Sequence, residues 1–166
     1  MQRTKPFRVH FAFLKISVLK KITALVVLIV LLGCNVGPKP IDYGQDGCHF
    51  CKMTIVDKRH AAEIITQKGK IYTFDATECM VNFLTEFDIS KVKLFLSNNY
   101  ANPGELIDAT QATFIINTNI PSPMGAFLSA FKNKEDALIQ GGDIYSWSEL
   151  LKHLKNKEND RNFLIK

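Results

Sequence analysis

No stretch of this 166-residue chain is apolar for long enough to cross a membrane. A spanning helix needs about 20 such residues. The longest candidate, residues 22–32, is eleven residues long and includes Thr23. It follows Arg3, Lys5, Arg8, Lys15, Lys20 and Lys21, with no acid among residues 1–21. A positive segment, a short apolar core and a small residue at the cleavage point make a secretory signal, not a span. A second Cys-x-x-Cys pair is also missing, which weakens a closed four-ligand zinc site. There is no Gly-rich phosphate loop, no Ser–His–Asp pattern and no basic-aromatic patch. Asp57, Glu63, Asp75 and Glu78 form no carboxylate pair suited to hydrolysis. The chain is therefore expected not to be an enzyme.

The surplus of positive charge belongs to the leader. Residues 1–33 hold six of the 21 basic side chains and none of the 16 acidic ones. The remainder carries 15 basic and 16 acidic groups, a net charge near −1. Nucleic acid is thus not an expected partner.

Leu31-Leu32-Gly33-Cys34 reads as a bacterial lipoprotein processing site. Cys34 would take the lipid and become the mature N-terminus. Its acyl chains would anchor the domain by burying methylenes at about 0.8 kcal/mol each. The expected location is the cell envelope, lipid-anchored and facing the periplasm. Asn35, where some retained lipoproteins carry Asp, favours the outer membrane. Residues 34–46, rich in Gly and Pro, read as a flexible tether. The domain proper is expected over 47–166, as one repeat over about 47–98 and another over about 99–155.

Residues 61–66 and 70–74 read as a β-hairpin about a Gln67-Lys68-Gly69 turn. Asp75 and Glu78 have capping-box spacing before a helix through Met80, Phe83, Leu84 and Phe87. Strands are expected at 93–96, 112–116 and 126–131, and a helix at 134–139 capped by Asn133. Ser146 and Glu149 form a second capping box before a last helix. Ile71-Tyr72 and Ile144-Tyr145 look like equivalent positions, as do Met53 and Met124. The expected class is α+β: two small βαβ-type repeats packed about a pseudo-two-fold axis.

The chemistry concentrates in Cys48-His49-Phe50-Cys51-Lys52-Met53. Thiolate and thioether ligands suit Cu(I) better than any hard cation. Cys51 as thiolate would neutralise a cuprous ion, and Met53 and Met124 would complete a low-coordinate site without added charge. With Cys34 spent on lipid, Cys48, Cys51 and Cys79 leave an odd number of thiols for an oxidising compartment. Cys48 is a further ligand or a redox partner of Cys51, the latter giving a thiol-disulfide oxidoreductase as the rival reading. Cys79 and Met80 read as core residues on a helix. His49 and His60 sit in polar loops, and either is a candidate ligand.

Cys48-His-Phe-Cys51-Lys-Met53, then Ile71-Tyr72-Thr73-Phe74-Asp75, then Pro123-Met124-Gly125-Ala126, resembles the NosL family. The resemblance covers residues 47–155. It implies a copper-chaperone lipoprotein that helps assemble the copper centres of nitrous-oxide reductase. It also implies a fold of two similar α+β units, with Cys51, Met53 and Met124 at the family's Cu(I) positions. Cys48 lies outside the core family pattern. Some members carry a His shortly after the Met; position 58 here is Lys58, and the next His is His60. A copper-accepting maturation protein or copper enzyme would be the partner.

Overall fold

The computed structural model describes residues 37–164, with side chains through position 156. Cys34 and the signal segment lie outside the described residues. Strand β1 (Ala62–Thr66) is followed by β2 (Ile71–Phe74), helix α1 (Thr77–Leu84), β3 (Val92–Asn98) and β4 (Leu106–Asp108). A second run holds β5 (Thr113–Ile116), β6 (Leu128–Phe131), α2 (Lys134–Gln140), β7 (Asp143–Tyr145) and α3 (Trp147–Leu164). Among the described residues, no helix is long and apolar enough to cross a membrane.

The two sheets share one plan. The first has the order β2-β1-β3-β4 and the second β6-β5-β7. In each, the earliest strand is central and both neighbours run antiparallel to it. The two strands flanking it, β2 and β3 in the first sheet and β6 and β7 in the second, are therefore parallel to each other and joined through a helix, a βαβ unit split by the central strand. The expected α+β class is correct. The expected equivalence of residues is not. Ile71 lies in the second strand of its half, whereas Ile144 lies in the last strand of the other. Met53 precedes the first central strand, whereas Met124 lies between β5 and β6. An Ile-Tyr pair suits almost any half-buried strand, so it is a poor register mark.

All five residues of β1 are buried, so both faces of this strand are covered. Ile64, Phe74, Met80, Phe114 and Leu150 belong to one core cluster that includes residues of both halves. Trp147, at the start of α3, packs its ring 5.6 Å from Phe95 of β3 and 5.7 Å from Phe114 of β5. It thus touches both sheets. The backbone joins them as well, through a parallel bridge between Asn99 and Ala130.

Helix starts match the sequence reading unevenly. At α3 the Ser146 N–H donates to Glu149 Oε2 at 2.8 Å, as the capping box requires. At α1 the N-cap is Ala76, with no side-chain cap. Asp75 is buried instead, and Glu78 turns inward to accept a short hydrogen bond from the Ser122 hydroxyl. Asn133 is the N-cap of α2 but makes no cap bond. Helix α1 stops at Leu84, before Phe87. Gly142, just past the C-cap Gly141 of α2, can only be glycine: φ is +99°, and a Cβ would stand 2.5 Å from the Ile116 carbonyl oxygen.

The folded part reaches further back than the Gly- and Pro-rich composition suggests. Ile41 is buried in the core. The Asp46 N–H donates to the Asp42 carbonyl at 2.8 Å, and Gly44 N–H to the Ile55 carbonyl at 2.8 Å. Residues 41–46, expected as tether, are part of the domain because one isoleucine finds an apolar seat.

Candidate metal centre

The Cys48–Met53 segment is a tight loop laid against β2. Gly47 and Thr54 pair as an isolated antiparallel bridge at its base. Inside it, Cys48 N–H donates to the Met53 carbonyl at 2.8 Å and Lys52 N–H to the Cys48 carbonyl at 3.0 Å. Lys52 takes φ +66°, an uncommon conformation for a residue with a side chain. Its ammonium donates to the His49 carbonyl at 2.5 Å. The His49 N–H donates to the Thr73 carbonyl at 2.8 Å, which ties the loop to β2. The His49 ring packs edge-on against Tyr72 and Phe83, at 4.6 and 5.3 Å. Burial and the nearby Lys52 and Lys70 charges push its pKa down.

This loop brings Cys48 and Cys51 to Cys79 on α1. The three sulfur atoms all lie within 4.8 Å of one another. Cys48 and Cys79 are buried, at 2% and 0% exposure, and Cys51 is half-buried. Met53 is 57% exposed on the outer side of the loop. The three cysteines thus grade from sealed to half-buried.

Negative charge settles first on Cys48. A hydrogen bond from the Cys79 thiol, with backbone N–H groups of Asp75 and Cys51, lowers its pKa to about 4 against the cost of burial. The Cys51 N–H lies 3.5 Å from the Cys48 sulfur. Cys51 is pushed up, by burial first and then by the neighbouring Cys48 charge. Cys79 is pushed up too, chiefly because its proton is held in the bond to Cys48. The three thiols therefore do not ionise independently. A soft cation would replace the shared protons and favour thiolate at all three.

Met124 occupies a turn, with Gly125 at φ +71° closing it on the Ser122 carbonyl at 3.0 Å. Ser122 fastens that turn to α1 through Glu78, the residue before Cys79. Its hydroxyl oxygen also accepts from the Phe127 N–H at 2.9 Å. Met124 is 37% exposed. Met80 is fully buried, as expected of core.

His60 does not join the cysteines. It is buried, with Nδ1 2.8 Å from Asp57 Oδ2 and Nε2 3.2 Å from Ser129 Oγ. Both ring nitrogens already have protein partners, so the expectation of a ligand at His60 is corrected: it links the loop before β1 to β6. Cys79, read as a buried small hydrophobe, is buried, but its sulfur belongs to the cluster. The available signal was the odd third thiol. The Cys-x-x-Cys pair lies in a loop and not at a helix start, so the oxidoreductase reading lacks its usual frame.

The NosL family model matches residues 40–154, more than half of the chain. The chain belongs to the NosL family. The copper-binding lipoprotein NosL of Stutzerimonas stutzeri is 26% identical over 120 residues, covering 65% of this chain and 63% of that protein. The match thus spans less than two thirds of that relative. The crystal structure of the copper chaperone NosL from Shewanella denitrificans superposes with a TM-score of 0.59 at 25% identity. It covers 70% of this chain and 96% of that one. Both NosL relatives are named for binding or carrying copper, and neither is named as an enzyme.

Proposed function

We propose that this NosL-family chain is a membrane-anchored metallochaperone that carries Cu(I) as cargo. It delivers the ion for assembly of nitrous-oxide reductase or a related extracytoplasmic copper enzyme. The observation that carries this reading is the convergence of three cysteine sulfurs within 4.8 Å of one another, with the exposed Met53 two residues after Cys51. Soft donors in low number favour Cu(I). Cys51, Met53 and Met124 are the transfer ligands, with Cys48 behind them. The exposed thioethers offer an edge where an acceptor's sulfur or imidazole can attack. Lipid on Cys34 holds the domain at the envelope membrane, facing the periplasm.

The test is a competition titration of the full chain, reduced and held in detergent, with Cu(I) against a copper chelator. One ion should bind tightly, and Zn(II) at matched free concentration should not displace it. Equal competition by zinc counts decisively against the reading. The anchor is tested separately. Cys34→Ala should abolish lipid labelling and release the domain from the membrane fraction, and undiminished labelling would overturn the assignment.

A further inference from the structure

We infer that Cys48, Cys51 and Cys79 form an inner binding site for one cuprous ion, distinct from the outer position at Met53 and Met124 and joined to it by the shared Cys51. The inference rests on the copper reading above; it makes Cys48 a full ligand and adds Cys79 to it.

The spacing is that of a metal site. With a metal–thiolate bond of ~2.3 Å, three sulfurs around one ion stand about 4.0 Å apart, and two in line stand about 4.6 Å apart. The observed limit of 4.8 Å lies close to both values. The sulfurs come from separate elements, a loop before β1 and helix α1, and both are fixed. The loop is held by its bonds to Met53 and Thr73. Cys79 is packed in the core beside Met80. A lone buried cysteine is ordinary core filling. Three sulfurs converging from two elements do more than fill space.

The surroundings limit the ion's coordination. Among the described residues, no His, Asp or Glu joins the three cysteines as a fourth donor. Three sulfurs complete a cuprous site, whereas structural zinc takes four ligands.

Burial then gives the two positions different roles. Met53 and Cys51 face outward, while Cys48 and Cys79 are sealed. An ion arriving at the methionines moves inward by exchanging thioethers for thiolates around Cys51. It leaves by the reverse exchange. On entry, each S–H that remains is replaced by an S–Cu bond, and its proton passes to water. Copper stays cuprous throughout, so no oxidant or reductant is consumed.

The experiment uses the full reduced chain in detergent with its cysteines labelled at Cβ with carbon-13. One equivalent of Cu(I) should shift the Cβ resonances of Cys48, Cys51 and Cys79 together. In the chelator titration, Cys48→Ala and Cys79→Ala should each lose more than about tenfold in affinity, or 1.4 kcal/mol, with unchanged circular dichroism. A shift confined to Cys51, with both alanine variants binding as the parent does, overturns the inner site and leaves the outer one standing. Failure of the parent to bind Cu(I) overturns the functional reading itself and this inference with it. Should an alanine variant misfold, the resonance shifts of the unmutated chain decide alone.

Discussion

Serine at position 51 should remove most of the affinity for Cu(I), a loss on the order of a hundredfold or more, or about 3 kcal/mol. Cys51 is the half-buried sulfur of the cluster, two residues before the exposed Met53. Serine keeps the shape but offers a hard, weakly acidic oxygen, which is a poor partner for a soft cation. Met53→Leu and Met124→Leu should each weaken binding less. Both conserve apolar volume, so each should cost less than about 1.5 kcal/mol of stability. Combining them should add little beyond the worse single change, because ligands of one ion are coupled. Met80→Leu changes a fully buried thioether in the core and serves as the control. The chelator titration checks the whole series. Loss of affinity in Met80→Leu but not in Met124→Leu would place the metal against the helix interior and remove the outer position.

The contribution of Glu63 to the stability of the metal-free chain should fall as pH rises from about 5 to 8. Glu63 lies in the middle of the fully buried strand β1, with 0% exposure. Its Oε1 accepts from the Lys39 N–H at 3.4 Å, while Oε2 has no partner. Burial pushes its pKa up from 4.5 to about 7. Between those values the folded chain holds a proton that the unfolded chain has released. The stabilisation is complete below the unfolded value and is lost as pH passes the folded one. The full span amounts to at most about 3 kcal/mol. Burial raises Asp75 and Glu78 as well, so they act in the same direction. Glu63→Gln keeps the size and removes the charge. It should stabilise the chain by about 1–3 kcal/mol at pH 8 and scarcely at pH 5. Urea unfolding at the two pH values measures this. A stability difference between Glu63→Gln and the parent that does not grow from pH 5 to pH 8 would contradict it.

The strands around residues 62–66, 71–74 and 113–116 were readable because β-branched and aromatic residues cluster there between turn signals. The start of α3 was readable because Ser146 and Glu149 act locally, within one turn of chain. What escaped was set by contacts distant in sequence. Nothing near Asp75 shows that its carboxyl is buried, or that Glu78 is taken by Ser122, 44 residues on. The same applies to Cys79. A cysteine on an apolar helix face looks the same whether its neighbour is a leucine or two thiols. His60 followed a polar loop in sequence, yet it is buried because Ser129 lies behind it on β6. The loop sulfurs Cys48, Cys51 and Met53 could be found from spacing alone, since their geometry is written within six residues.

The central claim is that one low-coordinate, all-sulfur site on this chain holds copper in the cuprous state. X-ray absorption at the copper edge of the full chain, loaded with one equivalent, tests it most directly. A Cu(I) edge and a single shell of two or three sulfur scatterers at about 2.3 Å are expected. A Cu(II) edge, or a shell dominated by nitrogen or oxygen, would contradict it.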